Sequence, residues 1–188
     1  MQVVVTAPHA FCRNVVERDC DRVASRAASY LAASLTKRGH MVSVVTAWTP
    51  RAKLDLNRRT ARRSEFRRDL RELLAVNQVL FDVHSFPADT KWAGVKEDEA
   101  PELVLLDNGP SPWCALGKKL QGVHFAFLEG DAKLNDIVLE AREKGLAALL
   151  LEFNESLANQ RIKQICDLIS VSLAQIFPSM AAADLVNV

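Results

Sequence analysis

Apolar residues along this chain fall into short runs that alternate with stretches of helical spacing. Gln2–Thr6 is rich in β-branched residues and reads as a buried strand. From about Arg18 to Lys37, Val23, Ala27, Tyr30, Leu31 and Leu35 recur on one helical face, and Gly39 after a basic last turn marks the stop. Met41–Ala47 is a second strand. Ser64–Ala75 is helical, with Phe66, Leu70, Leu73 and Leu74 on one side. Gln78–His84 and Leu103–Leu106 are further strands, and Val123–Leu128 alternates weakly enough to suit a sheet edge. A helix over Leu134–Lys144 stops at Gly145. Leu146–Phe153 is a long apolar run expected at the centre of the sheet, and Leu157–Phe177 is a closing helix before Pro178. The polar stretch Pro87–Pro101 is expected to be a mobile loop.

Strands alternating with helices predict an α/β domain of three layers around a mostly parallel or mixed central sheet. Runs apolar at every position, such as Ala147–Leu151, suit strands covered on both faces. Residues 1–178 are read as one catalytic domain and 179–188 as a C-terminal tail. No repeat and no linker interrupts them.

Composition narrows the function classes. The 188 residues are 49% apolar and 25% charged, ordinary values for a globular domain. With 24 basic and 23 acidic residues the net charge is +1, which lacks the basic excess that supplies nucleic-acid affinity. No apolar run approaches the roughly 20 residues of a membrane span, and the N-terminus does not read as a signal peptide. Cys12, Cys20, Cys114 and Cys166 show no C-x-x-C spacing, so reduced thiols in a cytoplasmic protein are expected, with Cys166 in the core.

In open α/β sheets, ligands bind beyond the carboxyl ends of the strands. There the sequence places His9 after the first strand, His84 at the end of the third, and Glu152 near the end of the last. Imidazole and carboxylate are zinc donors, and a catalytic site keeps a coordination position open. His9 could instead cap a turn after Pro8. Asp82, two residues before His84, shares its strand face and could hold its ring, either as a ligand's outer partner or as a buried hydrogen bond. Glu152 ends an apolar strand, where desolvation would raise its pKa toward that of a general base. It could also face solvent or pair with an arginine. His40 reads as a surface turn residue. His124, on the weak strand, is a poor ligand candidate. Of the arginines from Arg58 to Arg71, Arg62 to Arg71 read as a solvated helix face paired with Glu65, Asp69 and Glu72.

Pro8-His9, Asp55-Leu56-Asn57-Arg58, Asp82-Val83-His84-Ser85-Phe86 and Leu151-Glu152 with Asn154-Glu155-Ser156-Leu157 occur in that order. Together they resemble the N-formylglutamate amidohydrolase family, which is similar to zinc carboxypeptidases and aspartoacylases. The resemblance runs over roughly residues 2 to 175 and implies a zinc-carboxypeptidase-like fold. It also implies a Zn(2+) site in which His9 and His84 are ligands and an acidic residue ahead of the first long helix is the third. Asp21 fits best, with Asp19 and Glu17 as rivals. Asn57 and Arg58 would grip a substrate carboxylate, and Glu152 would be general base and acid. The implied activity is hydrolysis of an amide bond in a small carboxylate-bearing substrate. Ala10-Phe11-Cys12 stands where the family usually has small glycines, so its substrate is not carried over.

Three other readings compete. One is a peptidase or cell-wall peptide amidase using the same site. Another is an inactive binding module. The third is a nucleophilic enzyme built on Ser85 or Cys12, which lacks an elbow motif such as G-x-S-x-G.

Overall fold

The computed structural model describes residues 1–12, 20–76, 78–96, 100–107, 112–129 and 135–177. Strands β1 (Gln2–Ala7), β2 (Met41–Thr46), β3 (Val79–Phe86), β4 (Leu103–Asp107), β5 (Phe125–Glu129) and β6 (Ala147–Asn154) form one sheet in the order β2-β1-β3-β6-β4-β5. Helices α1 (Ala24–Lys37), α2 (Glu65–Leu74), α3 (Cys114–Lys119), α4 (Asp136–Glu143) and α5 (Asn159–Ile176) cover it.

Strand alternation assigns the two faces. Val3, Val5, Phe81, Val83, Leu149 and Leu151 pack with α1, α3 and α5. Val4, Leu80, Phe86, Ala148 and Leu150 pack with α2 and α4. This is the expected three-layer α/β arrangement, and β6 is central as its unbroken apolar run predicts. Gly39 and Gly145 take φ of 81° and 82° beyond the ends of α1 and α4, the left-handed cap that glycine adopts without a Cβ clash.

The sheet is mixed. β1, β2, β3 and β6 are parallel, β4 runs antiparallel to β6, and β5 is parallel to β4. β4 therefore begins at the end of the sheet where β3 finishes, and the link between them needs no crossover helix. β5 lies at the edge, as its weak alternation suggested.

Several expectations need correction. Helix α1 begins at Ala24, not near Arg18, so Asp21 stands ahead of it. The short helix α3 was not anticipated, because its six residues carry too little periodicity to register. Cys12 and Cys20 form a disulfide, where reduced thiols were expected. The Asp21 N–H donates to the His9 carbonyl at 3.0 Å, which folds this segment back and brings the two Cα atoms to 5.4 Å. His40 is buried, not on the surface. Its N–H donates to Leu35 O at the end of α1, and burial pushes its pKa down. The arginine run is only partly solvated: Arg68 pairs with Glu65 and Asp69, but Arg67 is fully buried between α2 and α4. Residues 87–96 form turns in which Trp92 stacks edge-on against Phe86, with centroids 5.2 Å apart. The tail at 179–188 lies outside the described residues. No described helix is long and apolar enough to cross a membrane.

Candidate metal centre

The parallel strands deliver their carboxyl-terminal side chains to one end of the sheet. On β3, Asp82 and His84 face the α2/α4 side. In-register pairing sets Thr6 of β1 beside Asp82, and Glu152 of β6 beside His84. His9 follows β1 directly, and Asp21 arrives on the segment tied back to it.

These placements bring three donors together. One ligand atom each from His9, Asp21 and His84 lies within 4.8 Å of the others, and all three residues are buried. His84 Nδ1 is 2.7 Å from Asp21 Oδ2, and His9 Nδ1 is 3.6 Å from the same oxygen. The two rings meet nearly edge to face at 5.0 Å.

The far nitrogen of each ring meets a carboxylate. His9 Nε2 is 2.9 Å from Asp55 Oδ1, and His84 Nε2 is 3.1 Å from Asp82 Oδ2. Asp82 is itself held by Thr6 Oγ1 at 2.5 Å and Asn135 Nδ2 at 2.6 Å. Such outer carboxylates fix the tautomer and aim the opposite nitrogen's lone pair inward. For His9 that leaves Nδ1 buried with no hydrogen-bond partner, 3.6 Å from a carboxylate oxygen. A lone pair set against an anion without a donor is unfavourable unless a cation lies between them. The orphaned His9 Nδ1 and the two-imidazole, one-carboxylate donor set therefore fit a divalent metal.

Electrostatics agree with the geometry. Burial would raise the Asp21 carboxyl, but the His84 hydrogen bond and the two nearby imidazoles outweigh it and hold it below the usual range. Asp55 is held low in the same way, by His9 with Arg51 behind it. Burial opposes charge on His84, yet Asp82 and Asp21 raise its pKa well above the ordinary value. Glu152 departs in the other direction: burial lifts it to about 8 against the pull of His84, and Asp21 and Asp82 push the same way.

Beside the donors lies a cleft of about 340 Å³. Its lining includes the polar Arg51, Asn57, Arg58 and Glu152 and the apolar Phe86, Trp92, Leu106 and Leu150. Asn57 is buried with Nδ2 2.9 Å from His84 Nε2, and Arg58 is partly exposed with Nε 3.2 Å from Asp55 Oδ2.

All the sequence-derived site residues thus line this cleft: His9, Asp21, His84, Asn57, Arg58 and Glu152. The rivals Asp19 and Glu17 lie outside the described residues. Sequence reasoning gave no role to Asp55, although it opens the D-x-N-R stretch, because its partner His9 is 46 residues away. Asn135 and Arg51 carried no signal at all.

No protein-family model matches the chain, and no curated protein matches it by sequence. Among solved structures, a gene product of Agrobacterium tumefaciens superposes with a TM-score of 0.72 at 16% identity, over 95% of this chain and 91% of that one. A metallo-carboxypeptidase from Burkholderia cenocepacia superposes with a TM-score of 0.55 at 14% identity, over 95% of this chain and 57% of that one. An N-acetylmuramoyl-L-alanine amidase, AmiC2 of Nostoc punctiforme, aligns more loosely, with a TM-score of 0.47 at 9% identity, over 95% and 96%. At these identities the first two likenesses establish the fold.

Proposed function

We propose that this chain is a zinc-dependent hydrolase that cleaves an amide bond in a small substrate bearing a carboxylate, such as an N-acyl amino acid. One observation carries this reading: His9, Asp21 and His84 converge within 4.8 Å beside Glu152 at the head of an open cleft. When bound, zinc supplies a Lewis acid for the scissile carbonyl and lowers the pKa of a coordinated water toward roughly 7.

The chain's own groups divide the remaining work. Glu152, on the strand next to His84, takes the proton of the attacking water and returns it to the leaving amine. Its carboxyl at about 8 is that of the metal-free protein. A cation held by His9, Asp21 and His84 would favour the ionised form of Glu152, in which it can accept a proton. Arg58, beside Asn57 at the mouth, offers a planar guanidinium suited to a carboxylate. Asp55 and Asp82 keep the two imidazoles oriented. This division of roles is similar to that of the N-formylglutamate amidohydrolase family, and the apolar lining at Phe86, Trp92, Leu106 and Leu150 favours a less polar acyl or side-chain group than formylglutamate carries.

The metallo-carboxypeptidase neighbour supports a second reading, removal of a C-terminal residue from a short peptide at the same site. A panel of N-acyl amino acids, their methyl esters and short peptides separates the two. The account expects turnover of free-carboxylate acyl amino acids by zinc-loaded protein, loss of turnover with a chelator, and poor turnover of the esters. Preference for peptides selects the second reading. Zinc-loaded protein that hydrolyses neither class contradicts both.

A further inference from the structure

Helix α1 starts without a side-chain cap of its own: Val23 stands at its N-cap, and no acidic residue occupies its first turn. The Ala24 N–H that opens the helix donates to Asp21 O at 3.2 Å, and the two N–H groups just before it find partners on β3 and beyond β6. The Arg22 N–H donates to Glu155 Oε1 at 2.9 Å. The Val23 N–H donates to Ser85 Oγ at 3.4 Å, and Ser85 Oγ in turn donates to the same Glu155 oxygen at 3.0 Å. Glu155 is also fixed through its backbone, because its N–H donates to Phe86 O at 2.9 Å. Its side chain is only 12% exposed, with the Arg22 guanidinium 3.8 Å away.

The sequence positions of these groups give the ring its meaning. Ser85 is the residue after His84, and Arg22 is the residue after Asp21. The ring therefore joins the chain immediately beyond two of the three candidate ligands, which lie 63 residues apart. Glu155 is not among the carboxylates and imidazoles within 4.8 Å that would hold the ion. Ser85 Oγ has a partner on either side, so it is occupied as a link and is poorly placed to be a nucleophile.

From this arrangement we infer that Glu155 and Ser85 are positioning residues for the metal centre, forming a latch that sets Asp21 against His84. The inference rests on the zinc reading proposed above. A carboxylate at a helix start also gains from the helix dipole, so the latch holds the Asp21 segment in place before any ion arrives. Removing a group bonded directly to a ligand typically weakens metal binding by about 10- to 100-fold, and the latch, one residue removed from the ligands, acts at the lower end of that range.

The test is zinc affinity, read by competition with a chromophoric chelator. It covers wild type, Glu155→Ala, Glu155→Gln, Ser85→Ala, Asp21→Ala and the Asp21→Ala/Glu155→Ala pair, with the fold of each metal-free protein checked by circular dichroism. The latch predicts about a tenfold loss for Glu155→Ala, partial recovery in Glu155→Gln, and a smaller loss for Ser85→Ala. It also predicts no further loss from Glu155→Ala once Asp21 is gone, which a general loss of stability would not spare. Should Glu155→Ala fail to fold, Ser85→Ala carries the test. Folded variants with wild-type affinity overturn the latch and leave the zinc reading standing. Wild-type protein that binds no zinc overturns both.

Discussion

His84 shows how much chemistry one ring position carries. Its Nε2 faces Asp82 and its Nδ1 faces Asp21, and these two carboxylates raise its pKa well above the ordinary value against the effect of burial. Any proton bound at Nδ1 must leave before that nitrogen can ligate. Zinc affinity should therefore rise with pH through the neutral range, with proton release on binding. Calorimetry in buffers of different ionisation enthalpy measures that release, and affinity independent of pH would contradict it. The sign for stability is separate. His84 has a raised folded pKa, so its contribution is present below the unfolded value near 6.5 and is lost as pH rises through the higher folded one. Asp21 is lowered, so its contribution is present above about 4 and is lost on acidification. At Glu152, Glu152→Gln keeps shape and removes the base. Turnover should fall by about 10²- to 10⁴-fold while zinc content and folding persist, and steady-state kinetics beside metal analysis checks both. His84 and Glu152 were legible in the sequence because each is a polar group breaking an apolar strand end, whereas Asp21, in the turn ahead of α1, came only from the family resemblance, with Asp19 and Glu17 as rivals. Asp55 was not, because nothing local ties it to His9.

At the scale of elements, the loop that carries Asn57 and Arg58 is held from behind by charge. Arg67 of α2 is fully buried. Its Nη1 donates to Leu56 O at 3.1 Å, and its Nη2 meets Asp136 Oδ2 at 3.0 Å and also Glu140 of α4. The Asp136 N–H donates to Asn57 O at 2.9 Å, and Arg62 binds Asp136 through two nitrogens at 2.7 and 2.8 Å. Helical periodicity correctly gave α2 and α4 but read Arg62 to Arg71 as solvated, because spacing within one helix is blind to acids on another. Taking one member from a buried ion cluster costs about 3–5 kcal/mol. Arg62 and Arg71 remain beside Asp136 and Glu140, so Arg67→Met should lie near the lower end. Urea unfolding measures it, and a variant within about 0.5 kcal/mol of wild type would show that the cluster is not coupled to the fold. The Cys12–Cys20 pairing was illegible for a related reason: it depends on the turn made by the Asp21–His9 backbone bond, which leaves no mark in cysteine spacing.

Across the whole molecule, sheet polarity makes the site. Four parallel strands point the same way, so the residues that end β1, β3 and β6 arrive together although the sequence separates them widely. The alternation of strands and helices was enough to foresee that end of the sheet as the place for ligands. The reversal of β4 and β5 was hidden, since a strand's direction follows from how its connection packs and not from its own composition. The central claim is that the convergence of His9, Asp21 and His84 holds a cation. Metal content of protein purified without chelator and then equilibrated with zinc, by mass spectrometry, tests it most directly. About one zinc per wild-type chain is expected, and none retained by folded His84→Ala. Folded wild-type protein that retains no zinc would contradict it.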